Sequence, residues 1–329
     1  DTMTDKEREA WQKEQALRAA EKTVDMEGLP QGHPIQLLRR ENGALFSLIE
    51  EIENAENTAQ FLLQLTEIRR HYAKTEELLM PLLYRYGVTG PSKAIWDADD
   101  EAKQMLSALL RRSGAGEELP REEVTALFAR LRDVATREEK VLFPLALRYF
   151  TEDEWNRVYR DLPEIGCAFI DEKDAPRWDE GEAFCRMEDE KDKTRLLSEG
   201  KIELPTGTLT VAQLAGILAL LPVDITFIDA DDRLRFFVNE GRVFARPRSA
   251  LGREIWDCHP PRLVPVIRQM LDDFRQKAKK EMTVWRRIAG KPVYVRYLAV
   301  YDVNGDYLGT LETVQDFSEV EPHFRRKET

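Results

Sequence analysis

An internal duplication limits this chain more than any other feature. With Pro81 set over Pro144, His71-Tyr-Ala-Lys-Thr-Glu-Glu-Leu-Leu-Met-Pro81-Leu-Leu-Tyr-Arg-Tyr86 lies over Val134-Ala-Thr-Arg-Glu-Glu-Lys-Val-Leu-Phe-Pro144-Leu-Ala-Leu-Arg-Tyr149. Both copies carry apolar residues at helical spacing, so each predicts a long helix. Four such patterns occur in succession, at 34–53, 58–86, 92–112 and 121–149. The first carries Leu37, Leu38, Leu45, Leu48, Ile49 and Ile52. The connections between them are short enough for antiparallel neighbours. An up-down four-helix bundle with a pseudo-two-fold axis is the simplest packing. Bundles of this kind bring metal ligands inward from paired helices, commonly a carboxylate and a His three or four residues apart.

Before the bundle, residues 4–24 read as a polar helix with few large apolar groups, ended by Gly28-Leu-Pro30-Gln-Gly32. After it, residues 171–203 hold twelve acids and seven bases. They predict a solvated connector, partly helical near 186–197. The period then changes. Thr210 caps a short helix over 211–221, and two β-runs follow at 223–228 and 234–238. A helix over 261–277 precedes three more runs at 281–288, 292–301 and 307–315, with turns at Gly290-Lys291 and Asn304-Gly305. This order predicts an antiparallel five-stranded sheet with helices on one face. The fold class is therefore α plus α+β. Its parts are an N-terminal helix (1–27), the bundle (28–150), an acidic connector (151–208), the sheet domain (209–320) and a tail (321–329).

Composition excludes some partners. The 61 Asp and Glu against 49 Lys and Arg leave a net charge of −12 in 329 residues. An acidic chain of this kind argues against nucleic acid, which needs a dense basic face. No apolar run approaches the ~20 residues of a membrane-spanning helix. The three cysteines, Cys167, Cys185 and Cys258, form no disulfide framework, so the expected location is the cytoplasm. The chain opens at Asp1-Thr2-Met3, as a fragment or processed form would.

On the two Glu-Glu echoes before Pro81 and Pro144, and on Gly87-Val-Thr-Gly-Pro91 with Trp96, residues 33–150 resemble a hemerythrin-like domain of the HHE type. Residues 209–319 resemble a PAS sensor domain. That second match rests on Leu221-Pro-Val-Asp-Ile-Thr-Phe-Ile-Asp229, Gly252-Arg-Glu-Ile-Trp-Asp-Cys-His-Pro260, Asp302-Val-Asn-Gly305 with Gly309, and Asp316-Phe-Ser318. The first resemblance implies a di-iron centre with a His and a Glu four residues later on helices two and four, plus single His ligands from helices one and three. Here the pattern is incomplete. His71 and Glu138 stand at two of those positions, but their partners are Thr75 and Val134. Asp99 replaces the helix-three His, and Asn42 stands where many relatives place another. A five-histidine dioxygen carrier is ruled out, because the bundle has only His33 and His71.

What the resemblance leaves is a smaller oxygen-rich site from His33, His71, Glu76, Asp99, Glu138 and Glu139, suited to iron, manganese or zinc. The alternative is a bundle that has replaced metal with a His–carboxylate hydrogen-bond network. In the PAS-like half, His259 and Cys258 are ligand candidates, since both residue types ligate haem. A His-Pro pair opening a helix is the simpler reading, and haem is not expected. The leading function is a cytoplasmic sensor or regulator that passes a metal, redox or small-molecule signal to a protein partner. No catalytic residue is assigned, and a homodimer through the PAS domain is expected. The rivals are a non-haem metal enzyme acting on oxygen, nitric oxide or peroxide, and a scaffold with no cofactor.

Overall fold

The computed structural model describes residues 3–55, 61–196, 200–238, 243–244, 246–260, 262–288 and 290–325. The chain divides into two compact units, Asp1–Cys185 and Arg186–Thr329.

The first unit is helical. Helix α1 (Asp5–Glu21) starts at a Thr4 capping box closed by Glu7. Helix α2 (Pro34–Glu53) is capped by His33, whose Nδ1 accepts the Ile35 N–H at 3.2 Å, and Pro34 occupies its first turn. The second long helix is built from α3 (Ile68–Lys74) and α4 (Met80–Arg85), joined through Thr75–Leu79. The third is α5 (Gly90–Gly114). The fourth combines α6 (Arg121–Arg137) and α7 (Phe143–Tyr149) through Glu138–Leu142.

Both joints are π-turns. The Met80 N–H reaches back to the Thr75 carbonyl and the Phe143 N–H to the Glu138 carbonyl, five residues in each case. The cause is local: Pro81 and Pro144 have no N–H to give and would strike the carbonyl four residues earlier, and the wider turn relieves that clash. Each π-turn begins next to a residue that matters below, Lys74 in one copy and Glu138 in the other.

The bundle core contains Leu38, Leu45 and Ile49 of α2, Leu79 and Leu83 of the second helix, Leu106 of α5, and Leu131 and Leu142 of the fourth. Helix α8 (Glu152–Ile165) extends this core. A Thr151 capping box with Glu154 starts it, and Trp155, Val158 and Leu162 line its buried face. The connector expected from 151 onward thus contributes a packed helix. The boundary between the units falls within helix α9 (Asp179–Leu196).

The second unit opens with the hairpin β1 (Lys201–Leu204) and β2 (Gly207–Thr210), followed by α10 (Val211–Leu220) on a Thr210–Gln213 capping box. Five strands form one antiparallel sheet: β3 (Asp224–Asp229), β4 (Leu234–Phe237), β5 (Glu281–Ile288), β6 (Lys291–Tyr301) and β7 (Tyr307–Asp316). Their order is β4-β3-β7-β6-β5. Helix α11 (Val264–Arg275) buries Met270, Leu271 and Phe274 in a cluster with Ile228 and Ile255. Gly309 (φ +151) sits where β7 crosses β3; a Cβ there would strike the Ile228 carbonyl and the Phe227 ring. A short helix α12 (Glu321–Arg325) closes the described chain.

Candidate functional site

The bundle centre is a buried string of charges. His71 on α3 stands between two carboxylates, its Nδ1 at 2.7 Å from Glu41 Oε2 and its Nε2 at 3.0 Å from Glu138 Oε2. Glu41 Oε1 also receives the Lys74 ammonium at 2.7 Å and the Ala168 N–H at 2.8 Å. Lys74 gives a second hydrogen bond to the Gly166 carbonyl at 2.6 Å, just beyond α8. Asn42 donates its Nδ2–H to Glu138 Oε2 at 3.0 Å. All five side chains are buried.

Electrostatics follow from this packing. Burial alone would lower the pKa of His71, but the charges and hydrogen bonds of Glu138 and Glu41 outweigh it and raise it to about 9. Glu41 is held below the ordinary glutamate value, because the hydrogen bonds and charges of His71 and Lys74 exceed the upward push of burial. Asp99 on α5 goes the other way. Burial, reinforced by the Glu76 charge, pushes it up to about 10, so it carries a proton at neutral pH. Among the fully buried groups, Glu41 and Glu138 therefore balance His71 and Lys74, two against two.

At the edge of this centre, Lys103 forms an ion pair with Glu76 and stands 3.3 Å from Asp100 and 3.6 Å from Asp99. Several buried atoms are left over. Asn42 Oδ1, Glu138 Oε1, both Asp99 oxygens and the Tyr72 hydroxyl have no hydrogen-bond partner among the described residues.

The candidates picked out in the sequence separate accordingly. His71 and Glu138 touch, and Asp99 and Glu76 lie beside them. His33 does not join the group: it precedes Glu41 by eight residues, about 12 Å along a helix axis. It packs instead between Trp155 and Trp178, with ring centroids 4.6 and 5.2 Å away. Glu139 faces Arg39 at 3.1 Å on the half-buried flank. Glu41 and Lys74 were missed, although a signal for each exists. Position 41 falls three residues after Leu38 and four before Leu45, on the apolar stripe, and Lys74 follows His71 by three. A charge on a buried stripe is a partner in waiting.

The donor set does not fit a two-ion centre. Thr75 and the fully buried Val134 stand at two ligand positions, and both nitrogens of the one central imidazole are held by carboxylates. Among the described residues, no three His, Cys, Asp or Glu side chains converge closely enough to enclose an ion. A divalent ion would also upset the two-against-two balance unless the His71 proton left.

In the second unit, His259 donates Nδ1–H to the Ile255 carbonyl at 2.8 Å, and burial lowers its pKa. Cys258 packs against Leu234, Phe237 and Ala250. Among the buried polar residues of the sheet is Glu312 on β7, between Thr226 of β3 and Tyr297 of β6 and paired with Arg246 at 2.5 Å.

Residues 33–146 match the profile of the hemerythrin HHE cation-binding domain, and residues 214–318 that of a PAS domain. The HHE family binds metal, typically iron. Three solved structures are similar to parts of the chain. A C-terminal domain from Streptococcus mutans is 32% identical, with a TM-score of 0.36, over 39% of this chain and 98% of that one. A PAS domain from Colwellia psychrerythraea is 15% identical, with a TM-score of 0.27, over 33% of this chain and 98% of that one. A sensory box sensor histidine kinase from Vibrio cholerae is 11% identical, with a TM-score of 0.24, over 40% of this chain and 97% of that one. Comparison with curated proteins gives no match. From its two matched segments, the chain is a fusion of a hemerythrin HHE domain with a PAS domain.

Proposed function

We propose that this chain is a cytoplasmic regulator whose bundle works without a metal and whose PAS domain forms a homodimer that passes a signal to a protein partner. A hemerythrin-like bundle beside a PAS domain suggests a sensory or regulatory protein. No helix among the described residues is long and apolar enough to cross a membrane. The observation that carries the reading is the closed Glu41–His71–Glu138 string with Lys74, which occupies the bundle centre with side-chain charges. Such a network needs no ion to compensate its carboxylates. It favours a small molecule over a bundle-bound metal as the signal. Helix α10 supports the dimer. None of its residues is buried, Leu220 is 82% and Ile217 46% exposed, and its sequence is apolar on nearly every side. Exposed apolar surface of this kind marks an association site.

One observation favours a second reading. The unpartnered oxygens of Asn42 and Glu138, and the Asp99 carboxyl once its proton has left, are what a single cation beside His71 Nε2 would use. That reading keeps open a redox role on a small substrate. Element analysis of protein produced with iron, manganese and zinc in the medium separates the two. The regulator reading expects metal well below one ion per chain, and no change in His71→Ala. A stoichiometric ion lost in His71→Ala and weakened in Glu138→Gln would support the second.

A further inference from the structure

The chain between α8 and α9 is held to the bundle by the same charges that fill its centre. Gly166 (φ +82) ends α8, and its carbonyl accepts the Lys74 ammonium at 2.6 Å. Two residues on, the Ala168 N–H donates to Glu41 Oε1 at 2.8 Å. Lys74 and Glu41 are themselves paired at 2.7 Å, so one buried ion pair grips this segment at two points. Arg70 adds a longer hydrogen bond to the Cys167 carbonyl, at 3.4 Å. Ala168 and Cys167 are buried, and Phe169 and Ile170 pack against the bundle core.

The residue after this grip is strained. Phe169 has φ +62, in the left-handed region, without glycine's freedom or a short polar side chain to compensate. Asp232 and Lys277, the other non-glycine residues described there, lie in the β3–β4 turn and at the end of α11. Strain of this kind persists only where the surroundings over-determine the backbone. Here they are the two charge-assisted hydrogen bonds and the packing beside them. Beyond Phe169 the chain runs into α9, the helix that contains the boundary between the units.

We propose that Gly166–Phe169 is a latch on the bundle's charge network. It is shut while Lys74 and Glu41 are paired and opens more readily when they part, freeing Phe169 and the chain that leads to α9. Two charge-assisted hydrogen bonds outweigh one left-handed residue, so the latch is shut at rest. When either bond is lost, the packing of Cys167, Phe169 and Ile170 opposes the strain and chain entropy with less help. The element therefore has two states whose balance the buried charges set. The inference deepens the regulator reading and rests on it for the direction of the signal, from the bundle toward α9.

The test is hydrogen–deuterium exchange of the full chain, read by mass spectrometry on peptides covering 166–170. Lys74→Met should speed exchange there about tenfold or more, as the loss of a hydrogen bond to a charged group would. Leu131→Ala is the comparison: it truncates a fully buried core residue away from the latch and destabilises the bundle by a similar amount. It should leave exchange at 166–170 nearly unchanged, because the latch opens without unfolding the bundle. Phe169→Gly and Phe169→Ala keep the buried charges and test the strain even if the Lys74 variant fails to fold. Both delete the ring, and the glycine variant should exchange about fivefold more slowly at 166–170 than the alanine variant. Equal acceleration in Lys74→Met and Leu131→Ala, no acceleration in Lys74→Met, or equal exchange in the two Phe169 variants would overturn the proposal. Metal content and oligomeric state, which test the regulator reading, are measured separately and can fail or hold without it.

Discussion

Replacing Lys74 by Met tests the charge network where its geometry is clearest. The ammonium is fully buried and makes two hydrogen bonds, to Glu41 Oε1 at 2.7 Å and to the Gly166 carbonyl at 2.6 Å. Met has nearly the same length, so little volume is lost. Removing one partner of a buried ion pair costs about 3–5 kcal/mol. Here Glu41 keeps His71 and the Ala168 N–H, which places the loss near the lower end, about 3 kcal/mol. The orphaned Gly166 carbonyl adds about 1 kcal/mol. A total of about 4 kcal/mol lowers the midpoint of a unit this size by about 8–16 °C. Urea and thermal unfolding followed by tryptophan fluorescence report on it well, because Trp11, Trp96, Trp155 and Trp178 all lie in the first unit. Adding Glu41→Gln should recover about 1–2 kcal/mol by removing the uncompensated charge. A Lys74→Met cost below about 1 kcal/mol would refute the reasoning. So would a double variant that loses the full sum of the two single costs.

The pH dependence has a definite sign. The His71 pKa rises from 6.5 to about 9 on folding, so its contribution is complete below about pH 6.5 and is lost as pH climbs through 9, about 3 kcal/mol in all. The raised pKa of Asp99 acts in the same direction, and a first-unit urea midpoint that stays flat from pH 6.5 to 9 would contradict both. Light scattering should find a dimer that Ile217→Glu with Leu220→Glu converts to monomer, whereas a monomeric wild type ends that idea. His259→Ala should cost about 1 kcal/mol in the second unit, the value of its hydrogen bond to Ile255, without releasing any coloured cofactor.

The architecture was legible because its signals are local and periodic. The apolar spacing of Leu38, Leu45, Ile49 and Ile52 predicts α2, and the alternation through Val293, Val295 and Tyr297 predicts β6. The Pro81/Pro144 register placed the duplication, and the π-turns lie just ahead of both prolines. Helix α8 was lost to the acidity of its sequence, although Thr151 and Glu154 form a capping box and Trp155, Val158 and Leu162 recur on one face. The β1–β2 hairpin was lost because Lys201–Leu204 is short and exposed.

The site was harder to read, for a physical reason. His71 and Glu138 could be placed by their position in the repeat, whereas the roles of Glu41 and Lys74 depend on contacts across 30 or more residues of sequence. Lys74 also bonds a carbonyl 92 residues away that only the folding of α8 brings near. Spacing puts a side chain on a face but does not name what it meets there. His33 was a ligand candidate as one of only two histidines in the bundle; it caps the first helix and packs against Trp155 and Trp178 instead.

The most direct test of the central claim is anaerobic titration of the full chain with Fe(II), and separately with Mn(II) and Zn(II), followed by the thermal midpoint of the first unit. With Glu41 and Glu138 already compensated by His71 and Lys74, the expected result is no saturable binding and no rise in midpoint at a tenfold excess of ion. Binding of one ion per chain that raises the midpoint, and that disappears in His71→Ala, would contradict it.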